Sequence, residues 1–433
     1  MIGHRGYRGQ VLPEPGRGPG EGTRRPVLAL VAIALLGLNL RSAVSVVPPL
    51  LGRISHDLGL SSAMAGVLGA LPAVCFALAG AFAPALLRRW SGERVALALL
   101  VAFAIGELVR PFTAGTDGFL LLTGLTLLAM GSCNVVLPPV VKAYFPDRIG
   151  QVTALYVTGI SIGTAVPPLV AVQLADAADR AGHAPGWRLA LASWGVFALV
   201  AAVAWLPSAR RPHAVPQPAA AARPRTPVYR SRVAWGVLLI FGVTALEFYA
   251  VVAWLPRRLV DAGLSEQAAG AQLALVAVVG MPFTFLIPPL TARLHRLLPV
   301  VAGFALLMGL GLLGLWLAPA QHTWLWGTTF GLGSAGFPMA LTLIGLRSAG
   351  PATAAAVSGF VQGLGYAMAA AGPVVVGLLY SGPDSWTAPF VFLGSLLLLQ
   401  VLGGWLAVGR RTVDDDLRSP EYLDGSIRQT SIP

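Results

Sequence analysis

The stretch VLALVAIALLGLNLRSAVSVVPPLL, residues 27–51, is long and apolar enough to cross a membrane as a helix. The hydrocarbon core of a bilayer is about 30 Å thick and takes about 20 helical residues. Arg41 carries the only charge in the stretch, and a guanidinium near mid-membrane costs roughly 2.5–3.5 kcal/mol on insertion scales. Chains keep such a charge where it faces a protein interior or a watery cavity and meets an anion there. Arg41 is therefore the leading candidate for a binding residue.

The composition of the whole chain agrees with that stretch. Of the 433 residues, 56% are hydrophobic and 11% are charged, whereas soluble domains carry about 25% charged residues. The net charge of +12 could indicate nucleic-acid binding, but the basic residues lie between the apolar runs, as membrane topology requires. His, Asp, Glu and Cys show no spacing typical of metal ligands. We expect a polytopic membrane protein, with the lipid bilayer as its surroundings and no cofactor, metal or nucleic acid.

Hydrophobic runs separated by polar breaks predict an all-α protein with twelve transmembrane helices. These spans lie near residues 27–51, 61–87, 95–113, 118–141, 151–174, 187–206, 233–256, 267–292, 299–317, 323–346, 353–380 and 386–408. The widest break, 207–232, is rich in Pro, Ala and Arg and predicts a disordered linker. It divides the chain into two six-helix bundles, 27–206 and 233–408. The tails 1–26 and 409–433 are polar, and we expect disorder in both.

The distribution of basic residues predicts the orientation of the chain. With both tails on the cytoplasmic side, the inner segments hold 23 Lys and Arg residues and the outer loops hold six. Cytoplasmic loops of membrane proteins carry an excess of Lys and Arg. The count therefore predicts cytoplasmic N- and C-termini in the cytoplasmic (inner) membrane. We expect a monomer, although nothing in the sequence fixes the oligomeric state.

Two charges lie at matching positions in the two predicted bundles. Arg41 is fourteen residues into span one, and Glu247 is fourteen residues into span seven. Both helices run from inside to outside, so each charge lies about 21 Å from the inner boundary if the halves are pseudo-repeats. We predict that Arg41 and Glu247 face each other across a central cavity. A solute anion would then compete with Glu247, or protonation of Glu247 would free Arg41; a static structural ion pair is the alternative.

Further polar residues in the apolar spans are secondary candidates. Glu107 and Arg110 are three residues apart on one helix face, which indicates either mutual neutralisation or a role for Glu107 in proton coupling. Any polar side chain in such a span must form a hydrogen bond. Contact with solute and contact between helices are both open for Asn39, Asn134, Tyr249, Gln362 and Tyr366.

Several phrases resemble one known family. NLRSAVSVVPPL at 39–50, GSCNVVLPPVVKAYFPDRIGQVTALY at 131–156 and SGFVQGLGYAMAAAGP at 358–373 are similar to the cyanate/nitroimidazole transporter family of the major facilitator superfamily. The resemblance covers nearly all of 27–408. It implies two bundles that rock about a central site lined by helices one, four, seven and ten, which would add Ser334 and Thr342 of span ten to the candidates.

Two departures from the family pattern affect what the resemblance implies. Glu247 stands where the family usually has an apolar residue, and an acid there favours proton coupling or a cationic or zwitterionic solute over the small anions of the family. The loop RRWSGER at 88–94 has an arginine where the superfamily usually has an aspartate. From this loop we still predict a charge lock that gates the inner face, formed by Arg88, Arg89, Glu93 and Arg94.

These observations predict a secondary active transporter of a small polar or anionic organic solute that works by alternating access, with protons as candidate coupling ions. Two other functions are compatible with the sequence. A multidrug efflux pump would share the fold. A membrane transferase would need an acidic cluster, for which Asp176 and Asp179 in DAADRAGH (176–183) are the nearest candidates. The transporter is favoured because no second acidic cluster completes a metal-diphosphate site, and we expect no enzymatic activity.

Overall fold

The computed structural model describes residues 21–183, 185–210, 227–293, 296–407 and 411–417. Within these ranges the chain is helical, with no strand. Twelve helices of the described part are long and apolar enough to cross a membrane. This result confirms the predicted all-α class and the number of spans.

The first half of the chain contains spans one to six. Its α-helices are Glu21–Asn39, Ser42–Ser45 and Val47–Leu58 (span one and its extension), Ser62–Leu87 (span two), Gly92–Val109 (span three), Thr116–Tyr144 (span four), Ile149–Arg180 (span five) and Trp187–Arg210 (span six). Short 3-10 turns at Arg110–Phe112 and Pro146–Arg148 follow spans three and four.

The second half contains spans seven to twelve. Its α-helices are Arg232–Asp261 (span seven), Glu266–Arg293 (span eight), Leu298–Leu317 (span nine), Thr323–Gly333 with Gly336–Leu346 (span ten), Pro351–Leu379 (span eleven), Thr387–Leu406 (span twelve) and the short Val413–Leu417. A 3-10 turn at Val228–Arg230 precedes span seven. Most of the predicted linker and most of both tails lie outside the described residues.

The segment Val413–Leu417 corrects one prediction, because it is ordered rather than disordered. Val413 is fully buried. The Asp414 carboxylate accepts hydrogen bonds from the Ala349 backbone N–H at 2.8 Å and from the Thr353 hydroxyl at 2.7 Å. Carboxylates stabilise helix N-termini, where backbone N–H groups lack partners. This acidic segment therefore caps the start of span eleven instead of remaining in solvent.

The two halves meet mainly at one end of the bundle. We call it the Arg53 end: it holds the ends of the odd-numbered spans and the starts of the even-numbered ones. One cluster of buried apolar residues lies within the first half, and a second lies in the second half apart from Ala73. The third draws on both halves and includes Val47, Leu51, Leu255 and Leu273. Apolar packing therefore closes the Arg53 end across the boundary between the halves.

Glycines permit close contact at this end. A Cβ atom on Gly377 of span eleven would lie 2.6 Å from the Ser62 carbonyl oxygen and 3.1 Å from the Gly66 Cα atom of span two. Small residues allow transmembrane helices to approach closely in this way. Spans two and eleven therefore touch through their backbones.

Candidate functional site

Arg41 lies at an interruption of span one. The helix ends at Asn39, and Arg41 has φ −138° and ψ −8° before helix resumes at Ser42. The Ser42 hydroxyl donates to the Asn39 carbonyl at 3.1 Å, and the Ser45 hydroxyl donates to the Arg41 carbonyl at 2.7 Å. These side-chain bonds satisfy carbonyl groups near the break, as polar groups in an apolar span require. The break turns Arg41 toward the centre of the molecule.

Arg41 lines a central cavity of about 200 Å³. Its Nη1 donates to the Tyr249 hydroxyl at 3.3 Å, and its guanidinium lies 4.7 Å from the centroid of the Phe76 ring. Within the described residues, no carboxylate lies within ion-pairing distance of Arg41. A neutral hydroxyl and a ring face compensate a buried cation only partly. The guanidinium can therefore bind an anion in the cavity.

The other polar groups of the cavity are hydroxyls on short side chains. They belong to Ser45, Ser161, Thr164, Thr244, Thr284 and Ser334. Several of these hydroxyls already donate their hydrogen to a backbone carbonyl of their own helix, at 2.7 to 3.1 Å. Since a hydroxyl has one hydrogen and two lone pairs, these oxygens remain free to accept. The cavity thus offers Arg41 as a strong donor and a set of oxygens as acceptors.

Phe248, Phe337 and Met281 supply apolar walls to the same cavity. No carboxylate is among its described lining residues. The lining therefore suits a solute with one anionic or acceptor end and an apolar, planar body, and its described residues offer no carboxylate to pair with a cation.

The helices that line the cavity differ from those implied by the resemblance. The described lining residues come from spans one, five, seven, eight and ten, and none of them belongs to span four. A Cβ atom on Gly131 of span four would lie 2.6 Å from the Phe76 ring, which also contacts Arg41. The Phe76 ring therefore lies between span four and the cavity. Asn134 of span four is half-buried and lies outside the lining.

Glu247 does not pair with Arg41, contrary to the predicted arrangement. Its side chain is fully buried, and neither carboxylate oxygen has a hydrogen-bond partner. Span seven turns Thr244, Phe248 and Tyr249 toward the cavity, and Glu247 is not part of the lining. The two charges have the same depth, but depth does not determine which face of a helix a residue occupies.

The face of span seven that carries Glu247 packs on span twelve. Gly236 lies eleven residues earlier, about three helical turns, and so on the same face. Its carbonyl oxygen lies 2.8 Å from the position of a Cβ atom on Gly403 of span twelve. Gln400, one turn from Gly403, is also fully buried without hydrogen-bond partners for its amide group. Glu247 and Gln400 are thus buried polar groups inside the second half, and the sequence did not indicate Gln400.

Glu107 and Arg110 form the predicted ion pair, with Nη2 and Oε1 3.0 Å apart. Both side chains are fully buried, so Arg110 does not extend to the membrane surface. Its Nη2 also contacts the Ala43 carbonyl at 3.5 Å, directly after the break in span one. The pair therefore lies beside the segment that positions Arg41.

The remaining binding candidates are divided between the cavity region and other helix contacts. Tyr249 lines the cavity, whereas Tyr366 is not among its described lining residues and packs its ring 5.3 Å from that of Phe241. Asn39 donates to the Leu35 carbonyl at 2.8 Å, and Gln362 donates to the Ser358 hydroxyl at 2.7 Å. In span ten, Ser334 lines the cavity at the break between the two helices, whereas Thr342 donates to the Pro338 carbonyl and lies outside it.

The four residues predicted to gate the inner face differ in their surroundings. Arg88, Arg89 and Arg94 are exposed, whereas Glu93 is buried. The Glu93 carboxylate interacts with the hydroxyl of Tyr144. Glu93 therefore points into the first half, away from the surface that the three arginines share.

Fold and site together define a membrane transport protein with a central solute cavity. A sequence model of the Major Facilitator Superfamily matches residues 29–373, and the chain belongs to this superfamily. It is 32% identical to the 2-nitroimidazole transporter of Escherichia coli (strain K12) over 90% of this chain and 97% of that protein. It is 31% identical to the cyanate transport protein CynX of the same organism over 84% of this chain and 92% of that protein.

A solved structure has the same fold. The bacterial homologue of the human lysosomal transporter Spinster has a TM-score of 0.68 and 18% identity, with 90% of this chain and 95% of that chain covered. These relatives confirm the resemblance found in the sequence. The chain is a multi-pass membrane transporter of small solutes and not an enzyme.

Proposed function

We propose that this transporter carries a small, planar solute with an anionic or strongly accepting group, and that Arg41 binds that group. The observation that carries the proposal is the guanidinium on the cavity wall, which has no carboxylate partner in the described part of the chain. A charge retained at this depth needs an anion for full compensation. The solute would supply it during each transport cycle.

The volume of the cavity limits the size of the solute, and its lining favours particular groups on the solute. A volume of about 200 Å³ is below the roughly 300–1,000 Å³ of pockets for drug-sized ligands, which favours a single small ring or a smaller ion over multidrug efflux. Because the hydroxyl oxygens can accept, an N–H or O–H group on the solute would add affinity. The relatives named for 2-nitroimidazole and cyanate are consistent with this size.

Glu247 is the residue that we propose for proton coupling. An ionised carboxylate in a fully buried position without a partner is very costly, so the side chain carries a proton in this conformation. Loss of that proton requires water or a cation to reach span seven, which rearrangement of the halves could provide. Glu107 is a second candidate, but its ion pair with Arg110 favours a structural role.

The proposed transporter works as a monomer with both termini in the cytoplasm. The ratio of 23 to six basic residues supports cytoplasmic termini, with the Arg53 end outside. The two bundles enclose the cavity within one chain, which supports a monomer as the working unit, and the solute, with protons, would be its only transported partner.

Thermal unfolding of the purified protein in detergent tests the role of Arg41. The compounds would be cyanate, nitrate, 2-nitroimidazole, benzoate and benzylamine, the last two matched in size and opposite in charge. A ligand at a hundredfold excess over its Kd stabilises the folded state by roughly 2.7 kcal/mol. We expect stabilisation by at least one anion or by 2-nitroimidazole, and none by benzylamine.

Two arginine variants give the matched comparison. Arg41→Gln should abolish the ligand-induced shift. Arg188→Gln should retain it, because Arg188 lies away from the cavity and pairs with Asp57 at 2.8 Å. Stabilisation by benzylamine alone, or an anion shift that survives in Arg41→Gln, would show that Arg41 does not bind the solute.

A further inference from the structure

Arg53 forms a cluster of charges beyond the end of span one. Its Nη2 lies 2.7 Å from Oδ1 of Asp176 and 2.7 Å from Oε2 of Glu266, and its Nη1 lies 3.6 Å from Oδ2 of Asp179. The two aspartates end span five, and Glu266 begins span eight. The cation of one helix thus joins carboxylates from two others.

This cluster crosses the boundary between the halves. Arg53, Asp176 and Asp179 belong to the first half, and Glu266 belongs to the second. The next residue, Gln267, adds a second link, because its Nε2 donates to Oδ2 of Asp176 at 3.1 Å. Both links depend on the start of span eight staying beside the end of span five.

The backbone below the cluster is closely packed. A Cβ atom on Gly270 of span eight would overlap the Pro168 carbonyl of span five and lie 3.6 Å from Cβ of Pro49 in the extension of span one. A water-filled path from the Arg53 end to the cavity therefore cannot form along this seam without separation of span eight from spans one and five.

We propose that Arg53, Asp176, Glu266 and Gln267 form a reversible latch that holds the two halves together at the Arg53 end. The latch must open before the cavity can communicate with that side of the membrane. This inference rests on the proposed alternating access, and it assigns a specific task to Asp176, which the sequence offered only as part of an enzyme-like acidic pair.

The arrangement of charges makes opening possible. When Glu266 moves away, Arg53 keeps Asp176 and Asp179 in its own half, so no unpaired cation is left behind. The side chains of Arg53, Asp176 and Glu266 are 26%, 36% and 29% exposed, so water can replace the lost contacts. Exposed ion pairs contribute little free energy, which suits a contact that must break in every cycle.

Arg53 stays charged throughout the physiological pH range. Partial burial acts to lower the pKa of Arg53, but the hydrogen bonds to Glu266 and Asp176 outweigh it and raise the pKa above its ordinary value. The cation at the centre of the latch is therefore permanent, and opening depends on its carboxylate partners.

The same end of the molecule provides a matched control pair. Arg188 and Asp57 are 2.8 Å apart and 22% and 31% exposed, close to the values in the latch. Both residues belong to the first half, so their ion pair does not cross the boundary. Asp57→Asn removes a comparable charge and a comparable contact at the same end, and none of the latch contacts involves Asp57.

Spin-label distances measure the separation of the halves without any solute. Labels would be attached to cysteines at Ala114 and Ala320, exposed loop residues on opposite halves at the Arg53 end. The buried Cys75 and Cys133 would first be replaced by alanine. We expect one short distance in the parent protein, and a longer-distance population about fivefold greater in Glu266→Gln. Gln267→Ala should give a smaller shift in the same direction, and Asp57→Asn none.

Three results would overturn the latch. They are an unchanged distance distribution in both Glu266→Gln and Gln267→Ala, an equal shift in Asp57→Asn, and a parent protein already dominated by the long distance. Because the measurement needs no solute, these results leave solute binding by Arg41 unaffected. Failure of solute binding would likewise leave the distances interpretable.

Discussion

Replacement of Glu107 by glutamine should destabilise the protein strongly, because Arg110 would lose its counter-ion in a fully buried position. The pair is 3.0 Å apart with both side chains inaccessible, and Nε and Nη1 of Arg110 have no hydrogen-bond partner. Removal of one member of such a pair costs roughly 3–5 kcal/mol, since an uncompensated buried charge remains. The double variant Glu107→Leu/Arg110→Met, which replaces both members by apolar side chains, should recover most of that loss.

The assay is the apparent Tm in detergent, followed by tryptophan fluorescence. Asp57→Asn, which breaks a partly exposed pair, is the control and should cost at most about 1 kcal/mol. We expect the Tm of Glu107→Gln to fall well below that of the control. The structural reasoning is refuted if Glu107→Gln is as mild as the control and instead abolishes only proton-driven transport, because Glu107 would then be a coupling residue.

Two further predictions concern packing and coupling. Gly377→Ala should lower the Tm and weaken closure of the Arg53 end, because the new Cβ atom would lie 2.6 Å from the Ser62 carbonyl oxygen. Gly394→Ala is the control and should leave the Tm unchanged, because no atom lies within 4 Å of its Cβ position. Equal Tm values for the two variants would contradict the close contact at Gly377. Glu247→Gln should keep the free energy of unfolding within about 1 kcal/mol of the parent value, because a protonated carboxyl and an amide are similar in size and both neutral. It should abolish solute accumulation driven by a pH gradient while solute exchange continues, and accumulation that persists in the variant would exclude Glu247 from coupling.

Much of the fold followed from hydropathy, because each span requires a long apolar run and each break requires polar residues. Arg41 was detectable for the same reason, as a charge that an apolar helix retains only at a cost. The surroundings of Glu247 were not predictable, since a count along the chain gives depth but not the face on which a helix packs. Gln400 is also buried inside the second half, and the sequence alone did not identify it as a buried polar residue of interest.

The hydroxyls of the cavity and the charges of the latch were also beyond sequence reasoning. In the sequence, Ser161 and Thr164 look like the many small polar residues whose hydroxyls donate to a carbonyl one turn earlier in the same helix. Their own hydrogen bonds follow this pattern. Asp176 and Asp179 are three residues apart in sequence, but the cation that contacts both comes from Arg53, more than a hundred residues earlier. Contacts of this kind depend on how spans one, five and eight meet in space.

Uptake of radiolabelled cyanate and 2-nitroimidazole by proteoliposomes tests the central claim most directly. The proteins compared would be the parent, Arg41→Gln and Arg188→Gln, each reconstituted at the same density. We predict that the parent and Arg188→Gln carry at least one of the two solutes well above protein-free liposomes, and that Arg41→Gln reduces this uptake at least about tenfold, the effect of losing roughly 1.4 kcal/mol of solute binding. Uptake retained in Arg41→Gln would contradict the assignment of Arg41 as the solute-binding residue.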